Sequence, residues 1–252
     1  MLCTSIGLSP MSRVFAIVAA AGGGTRFGAH LAKQYVAIGD KPMLVHSIER
    51  LQRAVAPART LVALGVEDHE YEARISRLPD VDAVRCGGVT RAATVRNALD
   101  RLAPQSEADD WILVHDAARP CVPRETLSRL VRELADDPVG GLLAIPVTDT
   151  LKRADDDPAA RRVIATQDRH ALWQAQTPQM FRFRILADAL AAPGSLDTTD
   201  EAQAVETLAA GGRCGRPRLV MGSAENIKVT YAQDLALATA ILALQAERDH
   251  AA

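Results

Sequence analysis

The chain has 252 residues, 48% of them hydrophobic, with 29 basic and 31 acidic side chains and a formal net charge of −2. That length suits one large α/β domain or two small ones, with one favoured, and the apolar content is ample for a packed core. The balanced charge argues against a nucleic-acid binder, which carries a basic face, and favours a small anionic ligand met by a few local cations. Four cysteines, Cys3, Cys86, Cys121 and Cys214, include no C-x-x-C pair, the pattern of reduced thiols in a cytoplasmic protein. Residues 1–12 lack the features of a signal peptide, and no later run approaches a membrane span. They read as a disordered N-terminal extension ahead of a single domain over residues 13–248.

The first element is an apolar run, Val14 to Ala19, which predicts a buried strand. It empties into Ala20-Ala21-Gly22-Gly23-Gly24-Thr25-Arg26-Phe27-Gly28, with Lys33 shortly after. Glycines free the backbone to converge N–H groups on an anion, and Arg26 and Lys33 add mobile positive charge, a combination suited to a triphosphate. The other reading is a tight strand-to-helix turn with no ligand. The P-loop reading is weakened because no Lys-Ser or Lys-Thr follows a suitably spaced glycine, and the dinucleotide fingerprint because Phe27 stands where a third glycine belongs.

Further apolar runs predict strands at Thr60–Leu64, Trp111–Val114, Leu142–Val147 and Leu219–Met221. Between them lie three helical stripes: Leu44, Ile48, Leu51 and Val55; Val95, Ala98, Leu99 and Leu102; Leu127, Leu130, Val131 and Leu134. This alternation predicts a mainly parallel, Rossmann-like α/β sheet flanked by helices, with ligands at the carboxyl ends of its strands. Thr198 with Glu201, and Thr230 with Gln233, match the capping-box spacing at two later helix starts. The polar stretch from Thr148 to Gln179, with Trp173 on it, reads as a hairpin-like arm that a second copy of the chain would cover, giving a homodimer, or else as a mobile surface insertion.

Asp116 and Arg119 follow the strand Trp111–Val114 in H-D-A-A-R-P, and a carboxylate at a strand's carboxyl end suits Mg²⁺, which takes only one or two carboxylates beside phosphates and waters. Asp116 could instead cap a turn. His115 has no second histidine at metal spacing and reads as a packing residue. Lys228, in N-I-K-V-T, is either solvated or aimed at phosphate, and the Gly87–Arg91 segment with Thr94 offers a base or ribose contact.

Six ordered motifs extend these readings: A-A-G-G-G-T-R-F with Lys33-Gln34-Tyr35, V-H-D-A-A-R-P, D-T-L-K (Asp149 to Lys152), Q-T-P-Q-M-F (Gln176 to Phe181), T-D-E-A (Thr199 to Ala202) and N-I-K-V-T. Together, from Val14 to the final helix, the chain resembles the 2-C-methyl-D-erythritol 4-phosphate cytidylyltransferase family of the non-mevalonate isoprenoid pathway. The resemblance implies a homodimer of the nucleotidyltransferase fold, with CTP and a sugar-alcohol phosphate as substrates, Mg²⁺ as cofactor and pyrophosphate as a product. By matched position it implies catalytic roles for Arg26, Lys33 and Lys228. Ala20, Ala21, Gly22, Gly23, Gly24, Gly88, Thr94 and Ala117 would then bind the nucleotide, and Asp116 would serve both metal and substrate. Arg119, Thr150, Arg169, Thr177 and Thr199 would hold the sugar phosphate, some of them from the partner subunit. Ala32 replaces a proline common in the family, and Val89 an acidic residue common after the paired glycines. A cytidylyltransferase acting on ribitol 5-phosphate or another polyol phosphate would share the nucleotide loop, and a non-catalytic nucleotide sensor would keep that loop without needing Lys228, Asp116 and the arm motifs.

Overall fold

The computed structural model describes residues 12–22, 31–75, 77–157 and 161–251. In chain order, β1 (Val14–Ala20) is followed by a 3-10 turn at Lys33–Tyr35, a two-residue hairpin of β2 (Ala37–Ile38) and β3 (Lys41–Pro42), and α1 (Met43–Val55). Next come β4 (Arg59–Leu64), the single-turn α2 (Tyr71–Arg74), β5 (Val81–Arg85), α3 (Arg91–Leu102), β6 (Trp111–Asp116), α4 (Arg124–Leu134) and β7 (Gly140–Pro146). A ribbon of β8 (Leu151–Ala154) and β9 (Val163–Gln167) precedes β10 (Trp173–Arg182), and α5 (Phe183–Ala191), α6 (Glu201–Ala210), β11 (Arg218–Met221) and α7 (Asp234–Ala251) complete the described strands and α-helices.

The main sheet has seven strands in the order β11-β7-β10-β6-β1-β4-β5. β1 runs parallel to both β4 and β6, β4 to β5, and β7 to β11, whereas β10 is antiparallel to both its neighbours. The strands alternate their side chains between two buried layers, as the period of two demands. Val14, Ala16 and Val18 of β1 pack with Leu44, Ile48 and Leu51 of α1 and Leu127, Leu130 and Leu134 of α4. Phe15 and Ile17 face the other way, toward Val95 and Leu99 of α3, Leu186 of α5 and Val205 and Leu208 of α6. A third cluster, including Met43, Ala118, Cys121, Val229 and Ala238, fastens the segment before α7 against the loop after β6. After β1 the chain adds β4 and β5 on one side and then returns to place β6 on the other. The strand order therefore reverses between β1 and β6, and the crevice beyond their carboxyl ends is where such sheets bind ligands.

Every strand and helical stripe expected from the apolar pattern is present, but the short hairpin of β2 and β3, the strands β5 and β10 and the helices α2 and α5 come in addition. The stretch expected as one arm divides. β8 and β9 do form an antiparallel ribbon with all their side chains exposed. Trp173, however, lies in β10, where it pairs with Pro146 in the main sheet, so the excursion ends before Trp173 rather than at Gln179. The caps also move. Asp200, not Thr198, caps α6 by accepting the Gln203 N–H at 2.9 Å, and the Gln203 side chain reaches back to accept the Thr199 N–H, one residue before the cap, at 2.7 Å. Ahead of α7 the Asp234 carboxylate, not the Thr230 hydroxyl, accepts the Thr230 and Tyr231 N–H groups. The expected N-terminal extension, Ser12 apart, lies outside the described residues.

Candidate active site

The crevice between β1 and β6 opens into a cavity of about 370 Å³ lined by residues 19–22, Lys33, Gln34, residues 88–91, Thr94, residues 116–118 and Lys228. Five chain segments converge on it. On the β1 side the buried Gln34 donates its side-chain N–H to Ala20 O at 2.9 Å, which ties the 3-10 turn to the strand end and brings Lys33 to the rim. The Lys33 ammonium donates to Val229 O at 3.1 Å, so it already spans the crevice toward the C-terminal segment.

Across the cavity, Thr90 caps α3 by accepting the Ala93 N–H at 3.1 Å. The Thr94 hydroxyl accepts the Gly88 N–H and donates to Thr90 O, both at 3.0 Å, so it shapes this loop from below. Gly88 is required here by close approach: a Cβ would stand 2.5 Å from Ala93 Cβ and 2.9 Å from Ala93 C. Val89, at the tip, is fully exposed.

Asp116 ends β6 at the centre of the site, with 7% of its surface exposed. Its Oδ1 accepts from Arg91 Nε at 2.9 Å and its Oδ2 from Lys228 Nζ at 2.7 Å. Arg91 then reaches Glu201 Oε1 at 2.5 Å, forming a chain of alternating charges from α6 through α3 to β6 and the C-terminal segment. Burial alone would favour a neutral Asp116, yet the Arg91 and Lys228 cations, with Arg119 behind them, hold its carboxyl well below the usual range and keep it ionised.

Beneath Asp116 its own N–H donates to the Thr177 hydroxyl at 3.0 Å, and that hydroxyl contacts His115 Nδ1 at 3.0 Å. His115 Nε2 lies 3.0 Å from Arg119 O, which can only accept, so Nε2 carries the proton and Nδ1 accepts from Thr177. Burial lowers the His115 pKa to about 4, which fits this neutral tautomer. His115 is thus a structural post, as its isolation in the sequence indicates. The strand β10 shifts register between Ala175 and Gln179, and this irregularity aims polar groups at the site. Asn226 donates to Thr177 O at 2.8 Å, Gln176 donates to Ser223 O at 2.8 Å, and Arg119 donates to Asn226 O at 2.6 Å. These bonds, with Val229 N–H on Ala118 O at 2.9 Å, fix the backbone that presents Lys228.

The structure therefore gathers Ala20, Ala21, Gly22, Lys33, Gly88, Thr94, Asp116, Ala117 and Lys228 around one cavity. Arg119 and Thr177 lie just behind Asp116, both buried. Thr150 and Arg169 are not among the described lining residues: Thr150 is exposed ahead of β8, and the exposed Arg169 guanidinium donates to Thr148 O. Thr199 is exposed beside α6, its hydroxyl 3.1 Å from Gln203 Oε1. Arg26, Gly23 and Gly24 lie outside the described residues. The sequence reading missed Arg91 and Glu201 as a coupled pair. One signal was available, because Arg91 occupies the first turn of α3, where the helix dipole disfavours a cation unless an anion is at hand.

Comparison with known proteins finds similarity along most of the chain. The sequence profile of 2-C-methyl-D-erythritol 4-phosphate cytidylyltransferase matches residues 14–244. A protein of that name from Thiobacillus denitrificans is 49% identical over 236 residues, covering 91% of this chain and 97% of that protein. Its counterpart from Dechloromonas aromatica is 48% identical over 237 residues, covering 92% and 98%. Among solved structures, one of a 4-diphosphocytidyl-2C-methyl-D-erythritol synthase matches with a TM-score of 0.78 at 40% identity, covering 92% of this chain and 98% of that one. The Francisella tularensis 2-C-methyl-D-erythritol 4-phosphate cytidylyltransferase matches with a TM-score of 0.75 at 29% identity, covering 91% and 100%.

Proposed function

Because the chain belongs to the 2-C-methyl-D-erythritol 4-phosphate cytidylyltransferase family, we propose that it transfers CMP from CTP to 2-C-methyl-D-erythritol 4-phosphate, giving 4-diphosphocytidyl-2-C-methyl-D-erythritol and pyrophosphate. The observation that carries this reading is the convergence of Lys33, Lys228 and an ionised Asp116 on one cavity at the switch point of the sheet.

The chemistry needs no general base. A phosphate monoester has its second pKa near 6, so the 4-phosphate is largely dianionic at neutral pH. One of its oxygens forms a bond to the α-phosphorus of CTP as the bond from that phosphorus to the bridging oxygen breaks, and the electron pair leaves with pyrophosphate. The barrier is the approach of two polyanions and the charge that builds on the leaving oxygens, which fixed cations lower by position and preorganised field. We assign this work to Lys33 and Lys228, with Arg26, while the amides of residues 20–24 and Gly88 cradle the nucleotide beside Ala117 and Thr94. Arg119, behind Asp116, together with Thr150, Arg169 and Thr199, is our assignment for the sugar-phosphate side, and Thr177 serves that side by holding the Asp116 backbone.

Among the described residues no cluster of three His, Cys, Asp or Glu side chains could cage a metal. The donor set nonetheless fits Mg²⁺, which needs few protein carboxylates: Asp116 is held ionised, and each of its oxygens keeps a lone pair beyond its one cation contact. Bound there, the metal would supply charge neutralisation on the triphosphate. The exposed ribbon of β8 and β9 carries Leu151, Val163 and Ile164, with Leu172 beside it, and we propose that a second copy covers this apolar surface as a homodimer. No described helix is long and apolar enough to cross a membrane, and the described cysteines are unpaired; we place the reaction in the cytoplasm.

The test is to incubate the purified protein with CTP, Mg²⁺ and either 2-C-methyl-D-erythritol 4-phosphate or ribitol 5-phosphate, and to follow pyrophosphate. Release with the first acceptor at a much higher kcat/KM supports the assignment. Release only with the second, or with neither, overturns it.

A further inference from the structure

The cation chain beside Asp116 is anchored by a carboxylate that the reaction itself does not require. Glu201 is the first residue of α6, yet the start of that helix is complete without its side chain: Asp200 supplies the cap and Gln203 reaches back to Thr199. The Glu201 side chain turns inward instead, is fully buried, and contacts Arg91 Nη1 at 2.5 Å. Its second oxygen, Oε2, has no hydrogen-bond partner in the structure. Burying a carboxylate this completely is costly, and apolar residues of similar volume commonly stabilise a fold as well or better, so stability gives no reason for its presence. Geometry does. The planar guanidinium of Arg91 offers two edges, one on Glu201 and one on Asp116, and a donor held at both ends cannot rotate away from either. Lys228, by contrast, meets Asp116 through a side chain that is 45% exposed.

We propose that Glu201 is a positioning residue: by gripping Arg91 from behind it fixes Asp116 Oδ1, so that Oδ2 and Lys228 are the partners left able to exchange when substrate enters. This role rests on the transfer reaction proposed above.

The test is a double-mutant cycle of Glu201→Gln and Arg91→Lys in the full chain, with thermal unfolding confirming that each variant is folded. Glu201→Gln keeps size and shape but removes the anion, and Lys lacks the second edge. Glu201→Gln is expected to lower kcat by about tenfold or more with the KM for CTP within about twofold, since misplacing a catalytic group by about 1 Å can cost up to about a hundredfold. The double variant should be no worse than Arg91→Lys alone. Wild-type turnover in Glu201→Gln, or losses that multiply in the double variant, would overturn the proposal. A readout independent of activity is the NMR signal of Arg91 Nε–H, identified by its absence from Arg91→Lys. Slow exchange with water in the wild type and fast exchange in Glu201→Gln is the expected result, whereas slow exchange in both refutes the anchor. If that signal behaves as expected while the wild type transfers no CMP, the anchor stands and the assigned reaction falls.

Discussion

Thr177→Val separates two roles that a single hydroxyl could play. The resemblance of the Q-T-P-Q-M-F motif places Thr177 on the sugar phosphate, whereas in the structure its hydroxyl is buried, accepting the Asp116 N–H and donating to His115 Nδ1. Valine fills nearly the same volume but can do neither. It leaves a buried backbone donor without a partner, a loss of about 1–3 kcal/mol, and removes one further hydrogen bond of about 0.5–1.5 kcal/mol. A total of about 3 kcal/mol, in a domain of this size, lowers Tm by about 6–12 °C. Thr177→Ser keeps the hydroxyl and loses only a methyl group, so it should fall by about 1 kcal/mol. Thermal unfolding of the three proteins reads the stability, and steady-state kinetics reads the consequence for Asp116, whose backbone loses its tether. The expected pattern for valine is a lower Tm and a lower kcat with little change in the KM for the sugar phosphate. An unchanged Tm with a raised KM for that substrate would refute the argument and return the hydroxyl to the ligand.

Three further outcomes follow from the same geometry. Lys33→Ala and Lys228→Ala should each lower turnover by about a hundredfold or more, the loss typical of one preorganised donor at a site of developing charge, and a variant keeping wild-type turnover removes that lysine from the mechanism. Gly88→Ala sets a Cβ 2.5 Å from Ala93 Cβ, so the loop must move; calorimetry should show CTP affinity reduced about tenfold or more, a shift of about 1.4 kcal/mol, and unchanged affinity means that this loop does not touch the nucleotide. Burial holds the His115 pKa at about 4 in the fold, against about 6.5 in an unfolded chain, so the unfolded state takes up its proton first as pH falls. Its contribution is whole above about pH 6.5 and declines toward pH 4, by about 3 kcal/mol in all. Urea midpoints should drop over that window in the wild type and less steeply in His115→Asn, and equal slopes would show that the titrating group lies elsewhere.

How far the sequence revealed this molecule depends on what each segment had to do besides fold. β1 and β6 are buried on both faces and read as unbroken apolar runs, so they, with α1 and α3 between them, were legible from period alone. β10 was not, although it is central in the sheet. Its sequence, W-Q-A-Q-T-P-Q-M-F-R, carries Gln176, Thr177 and Gln179 where an ordinary central strand would carry aliphatic residues, and a proline that no regular ladder accommodates. Each of those polar groups has an assignment in the structure: Gln176 holds Ser223, Thr177 holds Asp116, and Gln179 holds Asp200 and the Ala202 N–H at the start of α6. The residues that hid the strand are the ones that build the floor of the site.

The same conflict explains the pair whose relation the motifs did not disclose. Lys33 and Asp116 stood out as charges beside a glycine loop and a strand end, whereas Lys228 read as solvated or aimed at phosphate until the motifs were taken together. Glu201 and Arg91 looked ordinary, one acid at a helix start and one base in another, because their relation spans 110 positions and exists only once α3 and α6 lie side by side. Local rules do contain the trace of it. A cation in the first turn of α3 works against the helix dipole, and such a residue persists where something outside the helix compensates. Here the compensation is double, from Glu201 and Asp116, and it holds the guanidinium charged despite its burial. A residue that violates its own helix to serve two carboxylates is therefore better understood as part of the site than as part of the helix.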